Sequence, residues 1–291
     1  MKRLAGSFGL LEAARWYPGP GLVFSDMTRG GIFSMSSTSV EPSVLFPHRK
    51  GVGGLVRHAD GGYVVAGRNV AHKSTEPGAP TTELLRTNLR EQFFNDLTAD
   101  ARGRLFVGSV GLDPSPGDDR VPGSLYCLDL QGDVMILADD VLMSNGLGVD
   151  PQDEFLYHVD TNRKLVLRYP IGGRSLAGDR EVFVDTSPYG GRPDGLAVGG
   201  DGSIWVALAG GGLVVGWDAQ GHLRGEIDVP HELVTSLCFG ESDYRTMFIL
   251  TGENEDHPDP AGGCVYRRDA EVTGFPSGVA RVPTTDSVRT T

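Results

Sequence analysis

Six copies of one unit, a turn followed by a strand of about five residues, fill this 291-residue chain end to end. Their spacing of about 40–50 residues predicts an all-β chain folded as a six-bladed β-propeller, over residues 1–291 as a single domain. Composition agrees. Glycine, at 42 of 291 residues, is twice the roughly 7% of an average protein and has no collagen period. A hydrophobic content of 39% is enough to fill a core at this length.

The units run in order as Tyr17 to Asp26, Ala59 to Ala66, Ala99 to Gly108, Asp150 to Asp160, Gly200 to Ala207 and Glu241 to Leu250. Anchored on Gly21, Gly62, Gly103, Glu154, Gly202 and Arg245, they are separated by 41, 41, 51, 48 and 43 residues. A further strand opens with Gly and an apolar or aromatic residue, as in Gly31-Ile-Phe33, Gly123-Ser-Leu-Tyr126, Gly212-Leu-Val-Val215 and Gly263-Cys-Val-Tyr266. Another follows at Val44-Leu-Phe46, Val134-Met-Ile-Leu137 and Val182-Phe-Val184. Residues Arg3 to Phe8 are expected to supply the outer strand of the last blade and so tie the ends. The best helical pattern is Leu84 to Phe94, and it is short. The stretch from Arg68 to Gln92 is long and irregular, and reads as a lid or as a plain surface loop. Asp113 to Arg120 is a second loop that could rim an entrance.

Several classes are excluded. With 26 Lys and Arg against 38 Asp and Glu, the net charge is −12, which disfavours nucleic acid as a partner. No stretch approaches the roughly 20 apolar residues of a membrane helix. Glu12 and Arg15 interrupt the apolar run at the start, so a secretory signal is not expected. Three widely spaced cysteines, Cys127, Cys238 and Cys264, suit a reducing, cytoplasmic setting and neither a disulfide framework nor a zinc ribbon. There is no phosphate-binding loop, dinucleotide fingerprint or nucleophile elbow.

Eight to ten residues before each anchor stands a small triplet: Glu12-Ala-Ala14, Gly53-Gly-Leu55, Asn95-Asp-Leu97, Asn145-Gly-Leu147, Asp194-Gly-Leu196 and Thr235-Ser-Leu237. In a propeller the first strand of each blade lies nearest the axis, so equivalent positions form a ring. Its first members are Glu12, Gly53, Asn95, Asn145, Asp194 and Thr235. Four of the six are carboxylate or amide oxygen donors, with no His or Cys. Asn-Gly and Asp-Gly are also ordinary turn formers, which would account for Asn145 and Asp194 singly but not for the set. Such donors suit a hard cation, Ca²⁺ first, with Mg²⁺ or Mn²⁺ next and Zn²⁺ last, and they argue against a structural zinc. His158 reads as a packed strand histidine; the other histidines show no mutual ligand spacing.

The chain resembles the SMP-30/gluconolactonase/LRE-like proteins. The resemblance rests on Glu12 with Arg15-Trp16, Phe94-Asn95-Asp96, Ser144-Asn145-Gly146-Leu147, Arg192-Pro-Asp194-Gly-Leu196, Thr235-Ser-Leu-Cys-Phe-Gly240 and the closing Gly263 to Pro276. It implies a six-bladed propeller holding one divalent cation, often Ca²⁺, and an activity on sugar lactones or, as in the related diisopropyl fluorophosphatases, on phosphotriesters. Carried over, the metal ligands fall on Glu12, Asn145 and Asp194, and an Asn contacting substrate or metal falls on Asn95. Spacing alone picks the same four. Asp194 would then act as general base on a water, or, as a lesser version, as nucleophile, while the cation polarises the lactone carbonyl. Phe93 stands where sugar lactonases of the family often carry Arg, and Thr98 where some carry Lys. Arg90 is nearby but cannot be assumed to substitute. An apolar Phe93 lining the substrate site implies a less polyhydroxylated small molecule; Phe93 as mere packing is the competing reading. Two further readings stay open: another metal-assisted reaction at the same residues, phosphotriesterase-like or a non-hydrolytic biosynthetic step, and a non-enzymatic binding propeller with a structural ion. The oligomeric state is not encoded in these patterns.

Overall fold

The computed structural model describes residues 1–36, 41–88, 91–112, 121–172, 176, 178–253 and 261–284. Every helix or strand among them is a strand, in six sheets of antiparallel neighbours, one of which gains a fifth, parallel strand. Each sheet is one blade. No helix among the described residues is long and apolar enough to cross a membrane. The chain divides into two compact units, Met1–Val52 with Phe183–Ser277 and Gly53–Val182 with Gly278–Thr291.

The first unit holds blades 1, 5 and 6. Their leading strands are Leu11–Tyr17, Arg192–Val198 and Val234–Gly240. Blade 6 is completed by Lys2–Phe8, which pairs antiparallel with Gly263–Asp269 from Lys2↔Arg267 to Phe8↔Gly263, the closure expected from the sequence. Apolar residues meet between blades. Leu11, Phe24, Phe248 and Val265 are fully buried in one cluster, where the Trp16 and Phe248 rings stack at 5.2 Å. Trp205, Phe239, Ile249 and Tyr266 form a second. These alternating positions face a neighbouring sheet, so burial of whole aromatic side chains, about 1.5–3 kcal/mol each, holds blade to blade.

The second unit holds blades 2, 3 and 4, led by Gly54–His58, Glu91–Ala99 and Ser144–Val149. Here Val56, Leu97, Leu105 and Leu85 are fully buried together. Two expectations are corrected. Leu84 to Phe94 is no helix: it supplies the end of strand Thr81–Arg86 and the start of strand Glu91–Ala99. Leu85, Leu89 and Phe93 follow one another at four-residue steps and match a helical period by coincidence, and pairing in the sheet decides the outcome. Most of residues 68–92 is likewise regular strand and not an irregular loop. Asn69–Lys73 and Thr81–Arg86 form the outer hairpin of blade 2, paired from Asn69↔Arg86 to Lys73↔Thr81 with one slip between Val70 and Ala71, and the Pro-containing stretch 76–80 is its exposed connection. Arg90 and the loop 113–120 lie outside the described residues.

The sequence also hid a strand. Val279–Ala280 runs parallel to Gly54–His58 on the far side from the hairpin. It is tied by Ala59 N to Ala280 O at 2.9 Å, Arg281 N to Gly103 O at 2.9 Å and His58 Nε2 to Val282 O at 2.9 Å. Gly103 has a φ of 95°, and a Cβ there would meet the Arg281 side chain at 2.5 Å, so glycine admits the strap.

Candidate functional site

All six triplets lie on the leading strand of a blade or, for Gly53, immediately before it. In five of them the pairing with the next strand slips at the triplet: between Glu12 and Arg15, Phe94 and Leu97, Ser144 and Leu147, Pro193 and Leu196, and Val234 and Ser236. Blade 2 pairs without a slip from Gly54↔Ala66 to Arg57↔Tyr63. Such bulges bend the strand and re-aim the side chain they carry. Glu12, Asn95, Asn145 and Asp194 therefore all sit at irregular backbone. In blade 1 the backbone shows it directly: Ala13, buried between Glu12 and Ala14, has a φ of 61°, a conformation unfavourable for a residue with a Cβ.

In the first unit the two expected carboxylates are both buried, Glu12 at 9% exposure and Asp194 at 8%. Their strands both pack on the leading strand of blade 6. Thr235 Oγ1 donates to Leu11 O at 2.5 Å, and Ala14 N donates to Ser236 Oγ at 3.1 Å. On the other side a Cβ at Gly195 would meet Thr235 O at 2.8 Å. Glycine after Asp194 lets the two backbones approach. Burying two carboxylates within one unit costs free energy unless cations or donors compensate.

The second unit brings the two amides into contact. Asn95 Nδ2 donates to Asn145 Oδ1 at 3.1 Å and to Ser144 O at 2.9 Å, and Asn145 Nδ2 donates to Thr161 Oγ1 at 3.2 Å. With both its amide hydrogens directed at blade 4, Asn95 turns its Oδ1 toward Gly53, where a Cβ would lie only 2.2 Å from it. The glycine at the blade 2 position of the ring is therefore the space that this oxygen needs. Behind Asn145, Ser144 Oγ pairs with His158 Nε2 at 2.7 Å. His158 is fully buried, and that burial pushes its imidazole down to about 4. It is the packed strand histidine expected.

Sequence reasoning missed several residues. Asp96 accepts Leu147 N at 3.0 Å and its neighbour Leu97 N at 2.8 Å. Glu91, also buried, accepts from Ser109 Oγ and from Tyr126 Oη, the latter at 2.5 Å. Burial and that carboxylate push the Tyr126 phenol up. Only the hydroxyl-bearing partners, scattered over later strands, would have marked Glu91 as internal. No group of three His, Cys, Asp or Glu side chains among the described residues is arranged to hold a metal. The expected donor set is of another kind, with two carboxylates and two amides, and its oxygen chemistry fits a hard cation.

Residues 10–253 match the SMP-30/gluconolactonase/LRE-like region. The chain belongs to this family. It is 30% identical to a 6-deoxy-6-sulfogluconolactonase of Pseudomonas putida, over 87% of this chain and 88% of that one. It is 31% identical to a regucalcin of Danio rerio, over 90% and 88%. In structure it is similar to a calcium-binding regucalcin of Agrobacterium tumefaciens, with a TM-score of 0.84, 22% identity, and coverage of 96% and 97%. That likeness, with the six sheets, shows the six-bladed β-propeller. In this SMP-30-type chain Phe93 is half-buried on the same strand as Asn95 and pairs with Val110. Thr98 is buried opposite Phe106.

Proposed function

We propose that the chain is a divalent-cation-dependent hydrolase that opens a small lactone, with residues 1–291 acting as one propeller domain in the cytoplasm. The observation that carries this is the placing of buried oxygen donors at strand bulges, two carboxylates in one unit and two interacting amides in the other, in a family with lactonase-named relatives. Glu12, Asn145 and Asp194, with Asn95, are the ligand set, and Ca²⁺ is the ion that oxygen donors of this charge favour, ahead of Mg²⁺, Mn²⁺ or Zn²⁺. When bound, such an ion polarises an ester carbonyl and stabilises the charge that develops on its oxygen.

The chain's own groups do the rest. Asp194 takes the proton from the attacking water, as a buried carboxylate positioned for general base catalysis. Glu12 balances charge and ligates. Asn95 offers Oδ1 to cation or substrate without adding charge. Phe93, lining the substrate site in place of a guanidinium, removes a donor for sugar hydroxyls, so the lactone is less polyhydroxylated than gluconolactone. Three unbridged, buried cysteines suit a reducing compartment.

The test is hydrolysis of γ- and δ-lactones, both sugar and aliphatic, followed with a pH indicator after chelation and after each cation is added back. Turnover restored by one cation, greater on aliphatic lactones, is expected. Turnover unaffected by chelation, or none with any cation, would overturn the proposal.

A further inference from the structure

One hydrogen bond recurs in both units. In the second, the middle residue of the blade 3 triplet, Asp96, accepts the backbone N–H of Leu147, the last residue of the blade 4 triplet, at 3.0 Å. In the first, the middle residue of the blade 6 triplet, Ser236, accepts the backbone N–H of Ala14, the last residue of the blade 1 triplet, at 3.1 Å. Both acceptors are buried, Asp96 at 6% and Ser236 at 3% exposure. Each bond reaches the next blade at its bulge, where strand pairing slips. A backbone group at such a slip loses the regular partner that a ladder supplies, and an unpaired buried N–H is costly. The residue leading each recipient triplet is a proposed ligand, Asn145 in one case and Glu12 in the other.

We infer that Asp96 and Ser236 are equivalent positioning residues, each fixing from the preceding blade the bulge that aims the next blade's ligand oxygen. Neither touches substrate or cation. They act through Leu147 and Ala14, and their chemistry differs because any buried acceptor of the right reach serves. This rests on the ligand set proposed above, and explains why the polar middle residues of the ring stand in these two triplets, whereas Gly54, Gly146 and Gly195 fill the equivalent place in three others.

The test uses the full chain and two readouts. Amide hydrogen exchange in the metal-free protein reads the bulge itself, and calorimetric titration with Ca²⁺ reads the ligand. Ser236→Ala is expected to speed exchange at residues 12–16, and Asp96→Asn, which leaves one acceptor oxygen for the two N–H groups of Leu97 and Leu147, to speed it less at residues 145–149. Each is expected to weaken Ca²⁺ binding roughly 10–100-fold, as loss of an outer partner of a metal ligand does, with the melting temperature little changed. Asp96→Asn also removes a charge; Ser236→Ala removes none, so it separates positioning from electrostatics and is the milder change should Asp96→Asn fail to fold. Unchanged exchange in Ser236→Ala overturns the inference, as does faster exchange with unchanged Ca²⁺ affinity. If the parent chain binds no Ca²⁺, the ligand proposal and the aiming role fall together; faster exchange would then leave only the anchoring of the bulges standing.

Discussion

The two units bury unlike oxygen donors at equivalent places on their leading strands. The first buries Glu12 and Asp194, two carboxylates whose strands both pack on blade 6. The second buries Asn95 and Asn145, neutral amides joined by a 3.1 Å hydrogen bond and backed by Ser144 and His158. On the function proposed above, the first would supply charge and a base, and the second neutral oxygens held by a hydrogen-bond network. Division of this kind keeps a site electrophilic, since each further carboxylate would reduce the charge an ion presents to substrate.

Breaking the charged half should have the largest effect. Asp194→Asn is expected to lower lactone turnover by roughly 10²–10⁴-fold, the size of a general-base contribution, while circular dichroism and melting temperature stay near the parent's. Equal losses of turnover and of folded structure would make the residue structural instead.

The half that holds His158 should respond to acid. Unfolded histidine takes a proton below about pH 6.5, whereas burial holds folded His158 neutral down to about 4. Between those values the unfolded state binds more protons, so stability falls as the pH is lowered from 6.5 toward 4, by about 3 kcal/mol from this group alone. His158→Gln should flatten the dependence of unfolding free energy on pH across that window. A slope identical to the parent's would remove His158 as its source.

Much of the fold could be read directly. Turns carrying Asp or Gly before short apolar strands mark the second strand of nearly every blade, and in some the Asp carboxylate accepts the turn amides: Asp100 from Gly103 N and Arg104 N, Asp150 from Glu154 N and Phe155 N. Glu12, Asn95, Asn145 and Asp194 were picked out by their recurrence at one position, and all four are buried on leading strands. What pairing alone decides was not. Leu84 to Phe94 looked helical because only its neighbours make it strand. The parallel strap Val279–Ala280 carries too few residues for any pattern. Asp96 and Ser236 stood inside the recognised triplets, yet their use depends on the bulge of another blade, which no local periodicity reports.

Smaller changes sharpen the contrast. Gly53→Ala places a Cβ against Asn95 Oδ1, so the amide must shift while the charged half is untouched. About a tenfold fall in kcat/KM is expected, the equivalent of about 1.4 kcal/mol, and an unchanged value would mean that Asn95 Oδ1 plays no part. Least of all, Phe93→Arg should move preference toward polyhydroxylated lactones by a few-fold, roughly the worth of one added exposed polar contact, with stability unaltered. Identical selectivity would assign Phe93 to packing.

The most direct measurement is calorimetric titration of the metal-stripped chain with Ca²⁺, run on the parent, on Glu12→Gln and on Asn145→Ala. One ion per chain is expected, with affinity falling roughly 10–100-fold whichever half is altered. Binding that depends on only one of the two residues, or no binding by the parent, would contradict the proposed ligand set of Glu12, Asn95, Asn145 and Asp194.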